Sequence, residues 1–281
     1  MRHRKTSSFP RLLQRIAALC ATGVTFCGLF GLSVAAADEI SGFIDGIPAT
    51  IAAKGPTLSL ISPVDGAGLP SSRTTADDVL VRLRQSFSLS YADNARTAAE
   101  RKWFARHPDY LDRVFTRAQR YLPYIVAELE RRSLPLELAL LPIVESAYDP
   151  FAYSHGRAAG LWQMIPGTAK RFGVKQNWWY DGRRDVVDST RAALDYLEYL
   201  YEFNDGNWLN AIASYNSGEG NVRRAVRRNT RAGKPTDFWN LRLPRETSMY
   251  VPKLLALVEI VTDPAQYNLT LPIVADEPQF S

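Results

Sequence analysis

The sequence predicts a mainly α-helical fold, and three observations support this class. Apolar residues recur at helical spacing over long stretches, most clearly between residues 108 and 132. Proline, glycine and asparagine divide these stretches at positions typical of helix ends and turns. Segments with the alternating pattern of strands do not form a set, and no internal repeat of roughly 20–50 residues is visible.

The composition is that of a soluble globular protein with one or two domains. The chain has 281 residues, of which 46% are hydrophobic and 22% charged, so a sizeable core can be buried. The formal net charge of +5 has a local origin, because residues 1–37 hold five basic residues and no acidic one. Basic and acidic residues balance in the rest of the chain, so no nucleic-acid partner is expected.

Residues 1–37 are predicted to be an export signal. A basic start is followed by an apolar run over residues 16–34 and by Ala35-Ala36-Ala37, a small-residue cleavage site. A retained membrane anchor is the alternative, because the run approaches the length that spans a bilayer. Cys20 and Cys27 follow Leu19 and Phe26, which does not suit a lipoprotein signal. We predict a periplasmic location and leave membrane association open.

Residues 38–132 are predicted to have a structural role and to contribute no catalytic or binding residue. Residues 38–75 are rich in Gly, Pro, Ser and Ala, which indicates a flexible lead segment. Residues 76–132 are predicted to be an N-terminal helical region. Its helices are expected to start near Asp77 and to cover residues 94–107 and 108–132, the last as one continuous helix.

Residues 134–164 form the most informative stretch. The apolar run 138–144 has no polar face, which predicts a buried helix, and Pro142 is expected to kink it. Glu145 follows directly, where desolvation would raise its pKa into the range useful for a general acid. The alternative is an ordinary solvated glutamate near a helix end. Asp149-Pro150 is expected to break the helix.

An aromatic loop is predicted over residues 176–185. Trp178, Trp179 and Tyr180 could stack on sugar rings, although one tryptophan is expected to be a core plug under the loop. An internal ion pair is predicted among Arg183, Arg184 and Asp185.

Further helices are predicted downstream. The first is capped by residues 188–190 and runs to about residue 203. The others cover residues 208–216, 222–229 and 253–261. Residues 266–281 are predicted to form an extended tail.

Three motifs, in this order, resemble those of lytic transglycosylases related to goose-type lysozyme. They are Glu145-Ser146, then GLWQM at residues 160–164, then Ser214-Tyr215-Asn216, in which Ser214 replaces the usual Ala. The Glu-Thr pair at residues 246–247, followed by Tyr250, resembles the last motif of the family. Longer strings around these motifs are similar to the membrane-bound lytic murein transglycosylase D subfamily, over residues 77–280.

The resemblance implies a lysozyme-like helical transglycosylase domain with an active-site cleft, over residues 133–265 and preceded by extra N-terminal helices. It implies cleavage of the β-1,4 bond between N-acetylmuramic acid and N-acetylglucosamine in peptidoglycan glycan strands, with a 1,6-anhydro product. Glu145 would be the catalytic residue. The residues implied to bind substrate are Ser146, Gln163, Met164, Tyr215, Asn216 and Tyr250.

Other activities remain open at this point. A hydrolytic muramidase on the same fold and a glycan-binding protein without catalysis are the alternatives. No metal and no cofactor are expected, because the three histidines are scattered. A Ser146–His155–Asp149 triad has no support from spacing. The LysM repeats found in many subfamily members are not recognised in this chain.

Overall fold

A computed structural model describes residues 78–277, and helices make up most of this range. All of it lies within one unit, Gly68–Ser281. The mainly helical class is confirmed, since extended segments of the described range pair only through four isolated bridges. No helix in residues 78–277 has the length and apolar character to span a bilayer. The predicted export signal and residues 38–75 lie outside the described residues.

In chain order the α-helices of this range are α1 (Val79–Ser86), α2 (Ala95–Ala105), α3 (Pro108–Ala118), α4 (Leu122–Arg131), α5 (Leu141–Ser146), α6 (Pro166–Arg171), α7 (Val186–Phe203), α8 (Trp208–Ser217), α9 (Glu219–Arg231) and α10 (Arg245–Thr262). Short 3₁₀ helices occupy Leu136–Leu140, Phe238–Asn240 and Pro264–Tyr267.

The prediction of one helix over residues 108–132 is wrong, because two helices, α3 and α4, occupy this range. Pro123 lies in the first turn of α4, where a missing N–H costs nothing. In a continuous helix the same proline would remove the hydrogen bond to Gln119 and clash with the preceding turn. The chain therefore ends α3 at Ala118 and starts again at Leu122.

Two other helix starts also differ from the prediction. Asp185 caps α7 by accepting a hydrogen bond from the backbone N–H of Asp188, so the helix begins before residues 188–190. The last helix begins at Arg245 instead of Lys253 and continues through Pro252. Tyr250 therefore lies within a long buried helix.

The stretch before Glu145 is divided by its proline. The 3₁₀ helix Leu136–Leu140 leads directly into α5, and Pro142 occupies the first turn of α5, so it starts a helix instead of kinking one. Ala147 ends α5 in the left-handed conformation, with φ of 50°, before Asp149-Pro150 is reached. Glu145 thus lies in the last turn of a six-residue helix.

Helix α10 is the central element of the core. Most of its residues are buried, and it packs against α2, α8, α5 and the 3₁₀ helix Leu136–Leu140. Helix α8 also packs against α7 and α9. This arrangement brings Tyr250 of α10 to Glu145 of α5, and it sets α8 beside the same region.

Candidate active site

Glu145 is half-buried and held by one strong hydrogen bond. The hydroxyl of Tyr250, a residue only 6% exposed, donates to Oε1 of Glu145 at 2.5 Å. Burial raises the pKa of Glu145 to about 7, the hydrogen bond from Tyr250 acts in the opposite direction, and the nearby charge of Glu246 raises it further. Near neutral pH the carboxyl therefore has comparable acid and base populations.

Two tyrosines face the electrostatic field of this carboxyl. Burial raises the pKa of Tyr250 and of Tyr215 well above the usual value, and the charge of Glu145 adds to the effect in both. Both phenols therefore remain protonated and act as hydrogen-bond donors. The hydroxyl of Tyr215 donates to the carbonyl of Trp162 at 2.8 Å, which joins α8 to the GLWQM segment.

Ser146, the residue after Glu145, links the end of α5 to the same segment. Its hydroxyl lies 2.9 Å from the carbonyl of Leu161 and 3.1 Å from that of Pro142, and the residue is buried. Trp162 is fully buried, and its ring N–H donates to the hydroxyl of Thr190 on α7 at 2.9 Å. The GLWQM segment is thus fixed to α5, α7 and α8.

Gln163 and Met164 have structural contacts within the loop. Gln163 adopts a left-handed conformation, with φ of 44°, and its amide donates to the carbonyls of Gly160 at 2.9 Å and Ala152 at 3.2 Å. Met164 is 3% exposed, and its side chain belongs to the hydrophobic core. Both residues lie next to the Leu161–Trp162 backbone that contacts Ser146 and Tyr215.

Asn216 joins the site through the first turn of α10. The hydroxyl of Thr247 donates to the amide oxygen of Asn216 at 2.8 Å, and the Asn216 amide donates to Glu246 at 3.4 Å. Glu246 is exposed. Glu246 was not predicted to be a site residue. Its position four residues before Tyr250 is a signal that could have found it, because i and i+4 share a helix face.

The Ser146–His155–Asp149 triad finds no geometric support. The hydroxyl of Ser146 is bonded to backbone carbonyls, and Asp149 accepts from the N–H of Phe151 at 2.9 Å, while His155 is exposed. The three residues therefore do not form a triad. Within residues 78–277, no group of three or more His, Cys, Asp or Glu side chains is arranged to hold a metal ion.

Comparison with known proteins identifies this arrangement. Residues 123–238 match the family described as Transglycosylase SLT domain, and they contain Glu145, the GLWQM segment and Tyr215. Residues 123–238 are therefore similar to a transglycosylase SLT domain. The resemblance to lytic transglycosylases expected from the motifs is thereby confirmed.

Several proteins are similar to this chain in sequence. Membrane-bound lytic murein transglycosylase D of Escherichia coli K12 is 45% identical over 195 residues, which are 69% of this chain and 43% of the relative. A putative tributyltin chloride resistance protein of Alteromonas sp. strain M-1 is 53% identical over 126 residues, 43% of this chain and 61% of the relative. The chain therefore spans less than two thirds of either relative's length.

Solved structures show a weaker likeness. The 70 kDa soluble lytic transglycosylase of Escherichia coli has a TM-score of 0.42 and 20% identity, covering 60% of this chain and 30% of that one. An inactive mutant of lytic transglycosylase Slt from Pseudomonas aeruginosa has a TM-score of 0.40 and 23% identity, covering 55% and 25%.

The aromatic loop over residues 176–185 departs from the prediction. Trp178 is 88% exposed and Trp179 is 90% exposed, so the expectation that one of them is a core plug is wrong. The predicted ion pair also has a different partner, because Arg183 binds Asp181, with Nη2 2.6 Å from Oδ2. Asp185 serves instead as the N-cap of α7. The loop is therefore held by its polar residues, while its two tryptophans face solvent.

Proposed function

We propose that the chain is a lytic transglycosylase that cleaves the β-1,4 bond between N-acetylmuramic acid and N-acetylglucosamine in peptidoglycan. The observation that carries this proposal is Glu145, a half-buried carboxyl with a pKa of about 7, in the last turn of α5 and bonded by Tyr250. A carboxyl with this pKa can give and take a proton at neutral pH, which is what the reaction requires of a single residue.

In the first step, Glu145 in its acid form passes its proton to the glycosidic oxygen. The bond between C1 and that oxygen breaks, the leaving sugar departs with the proton, and positive charge develops at C1. The Glu145 carboxylate that remains, held by the Tyr250 hydroxyl, lies near this charge and stabilises it.

In the second step, the C6 hydroxyl of the same N-acetylmuramic acid attacks C1. Its proton moves to the Glu145 carboxylate, and the 1,6-anhydro ring closes. One C–O bond is broken and one is formed, no water is consumed, and Glu145 regains its proton. The Tyr250 hydroxyl can keep its hydrogen bond to Glu145 throughout, because a phenol can donate to the protonated and to the deprotonated carboxyl.

The other candidate residues are proposed to place the sugar. Tyr215 and Ser146 fix the GLWQM segment beside Glu145, so Gln163 is held at a defined position on that segment. Asn216 is oriented by Thr247 and lies at the Glu246 side of the site. Met164 is proposed to support this wall from the core, in keeping with its burial.

A hydrolytic muramidase is the second candidate, and Glu246 is the observation that favours it. Hydrolytic glycosidases use two carboxyl groups, one as acid and one as base or nucleophile. Glu246 is close enough for its charge to raise the pKa of Glu145. The two candidates differ in their products, because hydrolysis adds water and leaves a reducing end, whereas the lytic reaction leaves an anhydro end.

Product analysis tests both candidates. Purified peptidoglycan is digested with the protein, and the fragments are analysed by mass spectrometry. We expect anhydro ends, and reducing ends alone would overturn the lytic proposal in favour of hydrolysis. The variant Glu145→Gln is expected to lose roughly 10²–10⁴-fold in rate. Glu202→Gln, at an exposed glutamate of α7, is the matched control and should retain activity.

We also infer a periplasmic location, which is supported by the export pattern of residues 1–37 and by the substrate proposed. N-terminal sequencing of the exported protein tests this inference. A start at Asp38 is expected for cleavage after Ala37, whereas an intact N-terminus in a membrane fraction would indicate a retained anchor.

A further inference from the structure

The aromatic turn, defined as residues 176–181, presents two tryptophans on a fixed backbone. Gln176 and Asp181 form an antiparallel bridge, and the backbone N–H of Asn177 donates to the carbonyl of Tyr180 at 2.8 Å. The Asn177 side chain accepts from the N–H groups of Trp179 and Tyr180, both at 2.8 Å. The backbone around the two tryptophans is therefore ordered by its own hydrogen bonds.

One buried arginine attaches the aromatic turn to the candidate active site. Arg183 is 5% exposed and makes two hydrogen bonds to the Asp181 carboxylate, at 2.9 and 2.6 Å. Its remaining nitrogen donates to the carbonyls of Met164 at 3.1 Å and Arg157 at 2.6 Å. The turn is thus anchored on the same loop that carries Gln163 and contacts Tyr215.

The exposure of the two tryptophans has a physical cost. Each tryptophan has on the order of 200 Å² of mostly apolar surface that could be buried, and nine tenths of it remains in water here. Adjacent exposed aromatic rings on an ordered turn are typical of binding sites, since single scattered apolar residues are common but clusters are not. A preformed turn also loses little conformational entropy when a ligand binds.

Two features favour a glycan over a bilayer as the occupant. Asp185 lies beside the aromatic turn and accepts from the Tyr180 hydroxyl at 3.2 Å, whereas the Asp181 carboxylate is already paired with Arg183. A carboxylate such as Asp185 accepts hydrogen bonds from sugar hydroxyls and is repelled by an anionic bilayer surface. The anchor to Met164 also makes the turn continuous with the site proposed to hold a glycan strand.

We propose that Trp178 and Trp179 form an accessory glycan-binding site, in which they stack on pyranose rings of the strand whose scissile bond lies at Glu145. This inference rests on the proposed function, and it assigns the aromatic turn a role that cleavage alone does not require. The site would increase the effective concentration of a long strand at Glu145, because two linked contacts bind more tightly than one.

The test compares long and short substrates. The variant Trp178→Ala/Trp179→Ala is made in the full chain, and melting temperature is measured to establish that the exposed positions leave folding unchanged. Cleavage of insoluble peptidoglycan is expected to fall roughly tenfold, in line with two lost stacking contacts. Cleavage of a soluble tetrasaccharide of alternating N-acetylglucosamine and N-acetylmuramic acid is expected to remain at the wild-type rate.

Control variants sharpen the comparison. Replacing both tryptophans with Phe keeps two aromatic rings and should preserve most binding, whereas Ile273→Ala removes a half-exposed apolar residue elsewhere and should have no effect. Equal losses on long and short substrates would overturn the proposal, because the turn would then act only through the structure around Glu145. Unchanged cleavage of insoluble peptidoglycan would overturn it as well.

A binding assay separates this proposal from the proposed reaction. Cosedimentation with insoluble peptidoglycan is measured in the Glu145→Gln background, where the substrate stays intact, with and without the two tryptophan substitutions. Weaker sedimentation of the substituted protein supports the accessory site even if the wild-type products lack anhydro ends. Loss of sedimentation with anionic phospholipid vesicles, and not with peptidoglycan, would assign the aromatic turn to a bilayer and overturn the glycan proposal.

Discussion

At the scale of single residues, the pKa of Glu145 results from opposing influences. Burial and the charge of Glu246 favour the neutral acid, while the hydrogen bond from Tyr250 favours the carboxylate. The value of about 7 reflects this balance, in which burial is the largest influence and the other two belong to the single side chains Tyr250 and Glu246. Substitutions at Tyr250 and Glu246 are therefore expected to move the pKa in opposite directions.

Tyr250→Phe removes the only one of these influences that lowers the pKa of Glu145. The pKa should rise, so the carboxyl stays protonated to higher pH. Because the proposed first step needs the protonated form, kcat/KM should fall with increasing pH near 7 in the wild-type protein and at higher pH in the variant. The height of the profile should also decrease, since the carboxylate left after proton transfer loses a charge-assisted hydrogen bond.

Glu246→Gln serves as the opposite control, because it removes a negative charge and should move the falling limb to lower pH. For the wild type and both variants, the fall of kcat/KM with increasing pH is measured with a soluble glycan. Identical limbs in all three proteins would show that Glu145 is not the group whose titration limits the rate.

At the scale of elements, the loop between α5 and α6 depends on one close backbone approach. Gly160 has φ of +80°, and a Cβ atom placed there would lie 1.8 Å from the carbonyl oxygen of Arg183. Only glycine permits both the left-handed conformation and this contact. The approach brings Arg183 to the loop, where its side chain bonds the carbonyls of Met164 and Arg157.

Gly160→Ala is therefore expected to lower the free energy of unfolding by about 3 kcal/mol or more, since backbone strain and a clash act together. Gly167→Ala is the matched control, because it lies in helix α6 with no atom within 4 Å of an added Cβ, and it should be neutral or slightly stabilising. Urea unfolding of the three proteins measures the difference. Equal stability of Gly160→Ala and wild type would contradict the close approach.

Two helix starts marked by local signals were predicted well, whereas the local signals of Pro123 and Asp185 were missed, as were features set by distant contacts. Asn94 caps α2 and Asn207 caps α8, close to where the sequence indicated helix starts. The left-handed conformation at Ala147 could not be predicted from local sequence, because the residue is neither glycine nor asparagine. Exposure of both tryptophans was not predicted, because one of them was expected to be buried under the loop and the polar anchors of the turn act across the fold.

The candidate site shows the same division. Glu145 was found from the apolar run before it, which predicts desolvation whatever the details of the fold. Glu246 was named only as part of the last motif and not as a site residue, because its effect on Glu145 depends on α10 beginning at Arg245, before the predicted start at residue 253. Pro252 is accommodated inside a helix whose buried contacts offset the lost hydrogen bond.

At the scale of the whole molecule, the first and last segments of the described range are joined by hydrogen bonds and an ion pair. Asp78 caps α1 through Leu80, and the same oxygen accepts from the N–H of Val274 at 3.1 Å. The N–H of Val79 donates to the carbonyl of Val274 at 2.8 Å, and Arg82 pairs with Asp276 at 2.5 Å. Residues 273–276 thus form a C-terminal strap across α1.

Val274→Ala tests how much this strap stabilises the domain. Val274 is fully buried in the core, so removing two methyl groups is expected to cost about 1–3 kcal/mol of unfolding free energy. Its neighbour Ile273 is 46% exposed, so Ile273→Ala should change stability by less than about 0.5 kcal/mol.

Since the hydrogen bonds of the strap go to α1 and Gln119, kcat at temperatures well below the melting transition should be unaffected in both variants. A loss of kcat in Val274→Ala without a loss of stability would mean that the strap acts on the active site, because a purely structural contact can lower activity only by unfolding the protein.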